Sequence, residues 1–154
     1  MAGSKGSRRH GRVRETAAPG YTPDAGPGIA GVLYDSDIVI EVLRGRVGVI
    51  DAVRRLEATG VPTYCSSVAL AEIYAGLRPG EEPLTGAFFE ARGEVVLDAR
   101  VGRTAGAYLA RYARSHGLEL GDALVAAAAT TSGLRLWTRN RRHYPMQDLS
   151  FYEE

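Results

Sequence analysis

From Gly31 onward the chain alternates short apolar runs with longer amphipathic segments, and no other feature restricts its fold so strongly. Strands that alternate with helices imply a parallel sheet, because each helix carries the chain back across a face of the sheet. The run Gly31–Tyr34 predicts a first strand, and Asp37–Arg44 and Val49–Ala58 predict two helices, the second stopped at Gly60. Pro62–Cys65 predicts a second strand, followed by a helix over Val68–Leu77 with Ser67 as its N-cap and Pro79-Gly80 as its stop. A helix over Pro83–Ala91 leads to a strand at Glu94–Leu97, and a long amphipathic helix over Val101–Ser115 ends at His116-Gly117. A further helix, Asp122–Thr131, stops at Gly133; Leu134–Thr138 makes a fourth strand and Asp148–Tyr152 a fifth. The expected fold is α/β, a three-layer α/β/α sandwich with a central, mostly parallel sheet. In such sheets ligands bind beyond the carboxyl ends of the strands, where Asp35, Thr138 and Asn140 fall.

Residues 1–30 read differently. They are rich in Gly, Pro, Ser and Arg and carry no hydrophobic period, so they hold too little apolar surface to offset the entropy of ordering. A disordered basic extension or leader is expected there, with the folded domain over 31–154. No apolar segment follows the basic start, which argues against a secretory signal. The uncharged stretches, Ala123–Leu134 among them, are too short for a bilayer, which needs about 20 residues. A cytoplasmic protein is expected. The single cysteine, Cys65, excludes an internal disulfide, and no Cys/His cluster has zinc-site spacing. Five of the 19 basic residues but two of the 18 acidic ones lie in the first 30. The remainder is therefore slightly acidic, and nucleic-acid contacts must come from a local patch.

Four acids stand in apolar or small surroundings: Asp35, Asp37, Glu72 and Asp122, none with a Lys or Arg within four positions. Carboxylates so placed are costly unless paired, and several together are best served by a hard divalent cation with oxygen ligands. Asp35-Ser36-Asp37 also suits a helix N-cap, but two acids exceed what a cap requires. Glu72 has Val68, Ala69, Ala75 and Gly76 as its helical neighbours, a stripe that lets another backbone approach. Asp122 opens the Ala-rich helix, where a cap or a dipole-favoured acid is the plainer explanation.

Thr138-Arg139-Asn140-Arg141-Arg142-His143-Tyr144-Pro145 is the one dense basic cluster after residue 30. A solvated loop would account for it. So would a phosphodiester contact by Arg139, Arg141 and Arg142, extended by Arg44 and Arg46, with Thr138 and Asn140 orienting water or a carboxylate. Tyr144 could stack on a base or pack beneath the loop; His116 and His143 could be bases or structural residues.

The order of these motifs resembles the PIN-domain ribonucleases, specifically the VapC-type toxins of type II toxin–antitoxin systems. The resemblance covers residues 31–150, through Tyr-Asp-Ser-Asp, Ser-Ser-Val-Ala-Leu-Ala-Glu-Ile-Tyr-Ala-Gly-Leu, Gly-Asp-Ala-Leu-Val-Ala-Ala-Ala-Ala and Trp-Thr-Arg-Asn-Arg-Arg-His-Tyr-Pro. It implies a PIN-like fold and an endoribonuclease using Mg²⁺ or Mn²⁺, held by Asp35, Glu72 and Asp122. Ser36 and Thr138 match the family's hydroxyl positions, and Asp37 becomes a cap or a supporting group. The fourth acidic position is Asn140 here, an amide that binds or orients without adding charge, so a second ion is less well held. The family further implies an RNA substrate, a homodimer joined near the third strand and the helices after it, and silencing by a VapB-type antitoxin whose tail enters the acidic groove.

Two rival interpretations use the same residues. A haloacid dehalogenase-like phosphatase would make Asp35 a nucleophile and Asp37 its acid. Such a phosphatase also wants a Lys, and the only one is Lys5; it wants a late acid where this chain has Ala126. The missing Lys also counts against a phospho-accepting receiver domain. A PIN-like RNA-binding protein without activity fits Asn140, but not the presence of Asp35, Glu72 and Asp122 together.

Overall fold

The computed structural model describes residues 31–154; the expected basic extension over 1–30 lies outside the described residues. The elements run β1 (Val32–Tyr34), α1 (Ser36–Leu43), α2 (Val47–Ala58), β2 (Thr63–Ser66), α3 (Ser67–Ala75), α4 (Glu82–Glu90), β3 (Gly93–Val95), α5 (Ala99–His116), α6 (Leu120–Thr131) and β4 (Arg135–Trp137). A 3₁₀ turn at Arg141–His143 follows. The sheet order is β3-β2-β1-β4 and every pairing is parallel. The expected fifth strand is reduced to one parallel bridge, Leu136 to Phe151, closed by Leu136 N–H to Ser150 O and Tyr152 N–H to Leu136 O, both 2.9 Å.

Helices cover both faces, as the burial of β1 requires: Val32, Leu33 and Tyr34 are wholly inaccessible. Because side chains alternate across a strand, each strand feeds two cores. Leu33 and Leu136 pack toward α5 and α6, against Tyr108, Tyr112 and the buried alanines of α6. Val32, Tyr34, Cys65 and Trp137 pack toward α1, α2 and α4, against Ile38, Val53, Leu56 and Phe88. The Ala123–Ala129 stretch of α6 is the most enclosed helix segment, with five of its residues inaccessible. A helix apolar all round must lie inside, and its small side chains let α5 and the sheet close on it.

Glycine is required where backbones meet Tyr64. A Cβ on Gly31 would stand 2.7 Å from Tyr64 Cε2 and 2.9 Å from Pro62 O, and one on Gly93 would overlap the same ring. Gly117 ends α5 in the left-handed region, φ 64°, the ordinary glycine helix stop.

The sequence misplaced one cap. Ser66, not Ser67, caps α3, its hydroxyl accepting from Ala69 N–H at 3.2 Å, while Ser67 Oγ donates to Glu94 at 3.0 Å. The chain enters α3 straight from β2, so the first of two adjacent serines is still extended (ψ 157°) and can reach back to the helix amides.

Candidate active site

β1 delivers Asp35 to the carboxyl edge of the sheet, and there it caps α1. Asp35 Oδ1 accepts from Ser36 N–H at 2.8 Å, and Oδ2 accepts from the Tyr144 hydroxyl at 2.7 Å. The residue is 8% exposed. Ser36 thus contributes its backbone N–H.

Asp37, in the first turn of α1, is committed to the loop after β4. Its Oδ2 accepts from Arg139 N–H at 2.9 Å and from Thr138 Oγ1 at 3.3 Å; its Oδ1 accepts from Ile38 N–H at 2.7 Å. Thr138 Oγ1 in turn accepts from Asn140 N–H at 3.0 Å. These bonds tie β4's exit to the start of α1 and set the floor of the site. Burial, and then the neighbouring Asp35 charge, raise the Asp37 carboxyl above its usual range against those three hydrogen bonds.

Asp122 sits in the first turn of α6, which follows the N-cap Glu119, and is half-buried. Burial raises its carboxyl above the usual range; the charges of Asp35, Glu119 and Glu72 add to the rise, and His143 opposes it. Three carboxylates from β1, α3 and α6 therefore share one electrostatic field, with Glu119 as a fourth that the sequence did not single out. Glu72 reaches α6 where Gly121 leaves room: a Cβ on Gly121 would lie 3.4 Å from Glu72 Oε1 and 3.8 Å from Val68. The small-residue stripe does admit another backbone. It does not bury Glu72, however, which is exposed together with Ala75 and Gly76. An apolar sequence context here marks a groove wall instead of a core.

The basic loop divides. His143 Nδ1 lies 3.5 Å from Asp122 Oδ2 and 3.5 Å from Asn140 Nδ2. Asn140 Oδ1 accepts from Arg142 Nε at 3.2 Å, so His143, not Asn140, is the loop side chain that meets Asp122. Tyr144 is buried beneath the loop, and burial, then the Asp35 charge, push its phenol far above its ordinary range. Base stacking is not available to it. Arg139 is paired with Glu41 at 2.8 Å and with Glu154 at 4.0 Å, and Arg141 with Glu153 at 3.2 Å. Arg44 and Arg46 are exposed. Arg46 shares a shallow pocket with Arg139, Glu41 and the first residues of α2. His116 packs edge-on against Tyr112 at the end of α5.

Arg44 instead borders a cavity of about 200 Å³ between α1, α3 and α4, walled by Ile40, Leu43, Ile73, Leu77 and Leu84, with Glu72 in its lining.

A divalent cation fits the donor chemistry of this site. Carboxylate oxygens dominate there, with the His143 imidazole beside Asp122, and a cation would offset both the burial and the neighbouring negative charge that raise the Asp122 and Asp37 carboxyls. Among the described residues, no three acidic, imidazole or thiol groups close into a ready-made cage. Mg²⁺ seldom needs one, since it keeps several waters and takes only one or two carboxylates directly.

A parallel sheet that gathers acids from β1, α3 and α6 at its carboxyl edge defines a class, and the comparisons agree with it. Residues 32–149 match the PIN domain family, and the chain belongs to that family. Ribonuclease VapC10 of Mycobacterium tuberculosis is 35% identical over 116 residues, 75% of this chain and 86% of the relative. Ribonuclease VapC19 of the same organism is 32% identical over 115 residues, 74% and 92%. Two solved structures share the fold. VapBC2 from Rickettsia felis, bound to a promoter DNA fragment, superposes with a TM-score of 0.67 at 19% identity, covering 79% of this chain and 96% of that one. DNA-bound VapBC from Salmonella typhimurium gives 0.69 at 18% identity, covering 80% and 98%.

Proposed function

We propose that this chain is an endoribonuclease toxin of the VapC type, dependent on Mg²⁺ or Mn²⁺ and neutralised by a VapB-type antitoxin in the cytoplasm. The observation that carries this is the shared field of Asp35, Glu72 and Asp122 at the carboxyl edge of the sheet. The similarity to ribonucleases VapC10 and VapC19 supports it.

Asp35, Asp122 and Glu72 would hold the ion. A bound divalent ion supplies an activated water for in-line attack on the phosphodiester and stabilises the departing oxygen. Asp37 and Thr138 hold the loop that carries Asn140 and His143. Arg142 stands at the mouth through its bond to Asn140, and Arg44 and Arg46 offer exposed guanidinium groups to flanking phosphates. Arg139 and Arg141 reach RNA only by leaving their glutamate partners, an exchange that suits exposed ion pairs of about 0–1 kcal/mol.

The apolar cavity beside Glu72 is the surface an antitoxin tail would occupy, with aliphatic side chains between α1 and α4 and a polar group at the carboxylates. A homodimer would bury the exposed Leu70 and Tyr74 of α3 and Val96 beyond the edge strand β3.

The test is cleavage of a mixed tRNA and rRNA pool by the full chain with Mg²⁺, Mn²⁺ or EDTA, beside Asp122→Ala. Cutting that needs the metal and disappears in the variant is expected. Equal cutting by wild type and variant would remove the proposal.

A further inference from the structure

The loop after β4 exposes Arg141, Arg142 and His143 and then turns Tyr144 inward. Tyr144 is 5% exposed, its ring set edge-on to Phe151 at 6.4 Å between centroids. Phe151 is itself anchored by its bridge to Leu136 in β4. The result is a phenol braced from the sheet, aimed at one atom: its hydroxyl donates to Asp35 Oδ2 at 2.7 Å across 109 residues of sequence.

We propose that Tyr144 is a positioning residue for Asp35, fixing the plane in which this carboxylate meets the metal. The proposal rests on the metal-dependent activity put forward above. Asp35 Oδ1 is held by the Ser36 N–H and Oδ2 by the phenol. Each carboxylate oxygen offers about two lone-pair sites, so each keeps one for a cation. With the cap bond alone the carboxylate could turn about its Cβ–Cγ bond and present either edge. With both bonds it presents one. Groups that hold a metal ligand in this manner typically contribute 10–100-fold in metal affinity or activity (roughly, across metalloproteins).

Tyr144→Phe deletes the hydroxyl and keeps the ring against Phe151. Mn²⁺ binding to the full-length protein without RNA, followed by calorimetry and by loss of the free-ion EPR signal, should weaken about 10–100-fold. The circular dichroism spectrum should stay unchanged. RNA cleavage at low Mn²⁺ should fall with it and recover as Mn²⁺ is raised, with KM for RNA unchanged. A hydroxyl needed only for folding would lower the melting temperature and leave Mn²⁺ affinity where it was; affinity within twofold of wild type therefore overturns the positioning role. If Tyr144→Phe does not fold, Phe151→Leu loosens the brace and keeps the hydroxyl. A smaller loss of Mn²⁺ affinity is then expected, and none overturns the proposal. A wild-type protein that binds no Mn²⁺ sinks the metal-dependent reading as well, whereas equal binding by wild type and variant sinks the positioning role alone.

Discussion

Two charged clusters flank the same strand and are built on opposite logic. Below the carboxyl edge, Arg92 pairs with Glu57 at 2.8 Å, donates to Phe88 O at 2.7 Å and lies 3.7 Å over the Phe88 ring. Glu57 also accepts from Tyr34 and Thr63. The Arg92 and Glu57 charges face each other and nearby dipoles, and only Arg92 Nε in this pair is left buried without a hydrogen-bond partner. At the edge, Asp35, Asp37, Glu72, Glu119 and Asp122 stand together with His143 as the one nearby counter-group among Asp122's influences. The first cluster is what a fold does with charge it must bury. The second leaves repulsion in place, and strain of that kind at a cleft is a mark of a functional site.

The largest effect should come from breaking the charge-paired cluster. Arg92 is 9% exposed by side chain and Glu57 34%. Removing one partner of a buried pair costs 3–5 kcal/mol, and Glu57's exposure puts Arg92→Ala at the low end, about 3 kcal/mol, since solvent screens the charge left behind. Urea unfolding of wild type and variant measures it. A loss under about 0.5 kcal/mol would mean that this cluster, too, is not held by its charges.

The acidic cluster should respond in the opposite direction. Asp122's folded-state pKa lies above its unfolded value, so the native state favours the protonated form. The stability linked to that proton is complete below the unfolded value, about 3.9, and is lost as pH rises through the raised folded value. Without metal, Asp122→Asn should therefore match wild type near pH 3.5 and exceed it at neutral pH by at most about 1 kcal/mol, because solvent screens a partly exposed carboxylate. A domain this size would melt at most about 2–4 °C higher. Saturating Mn²⁺ should reverse the order if Asp122 is a ligand as proposed, because an ion that binds only the native state stabilises it by mass action. Melting curves at both pH values, with Mn²⁺ and with EDTA, decide it; a variant less stable than wild type in EDTA at pH 7 contradicts the repulsion.

The difference between the clusters was only half legible in the sequence. The alternation of strands and helices located β1, β2, β4 and all six helices, because periodicity and Gly or Pro stops are local signals. The expected strand at Glu94–Leu97 lies at Gly93–Val95 instead. Position 96 is exposed, and strand length there is set by pairing with β2, which local sequence does not record. Asp35, Glu72 and Asp122 were visible as acids without basic neighbours. Their burial was not: Asp35 is buried and Glu72 exposed from similar apolar contexts, since exposure depends on how α3 and α6 meet. Tyr144 packs beneath the loop, one of the two places the sequence offered for it, but its partner Asp35, the partner Asp122 of His143 and the glutamate partners of Arg139 and Arg141 were illegible for the same reason. Each acts across at least ten residues of chain, through a loop whose path only the fold fixes.

Glu72 gives the smallest stability effect and the sharpest division between folding and function. It is exposed and receives no hydrogen bond among the described residues that would be lost on neutralisation. Glu72→Gln keeps its length and its approach to Gly121, so stability should stay within about 0.5 kcal/mol of wild type, as for surface substitutions generally. RNA cleavage should nevertheless fall at least as steeply as in a variant of a buried ligand, because one oxygen donor and one unit of charge leave the site. Melting and cleavage measured on the same preparation test both halves. If Glu72→Gln cuts RNA at the wild-type rate, Glu72 leaves the proposed catalytic set, which contracts to Asp35 and Asp122, and the groove beside α3 is better explained by partner binding.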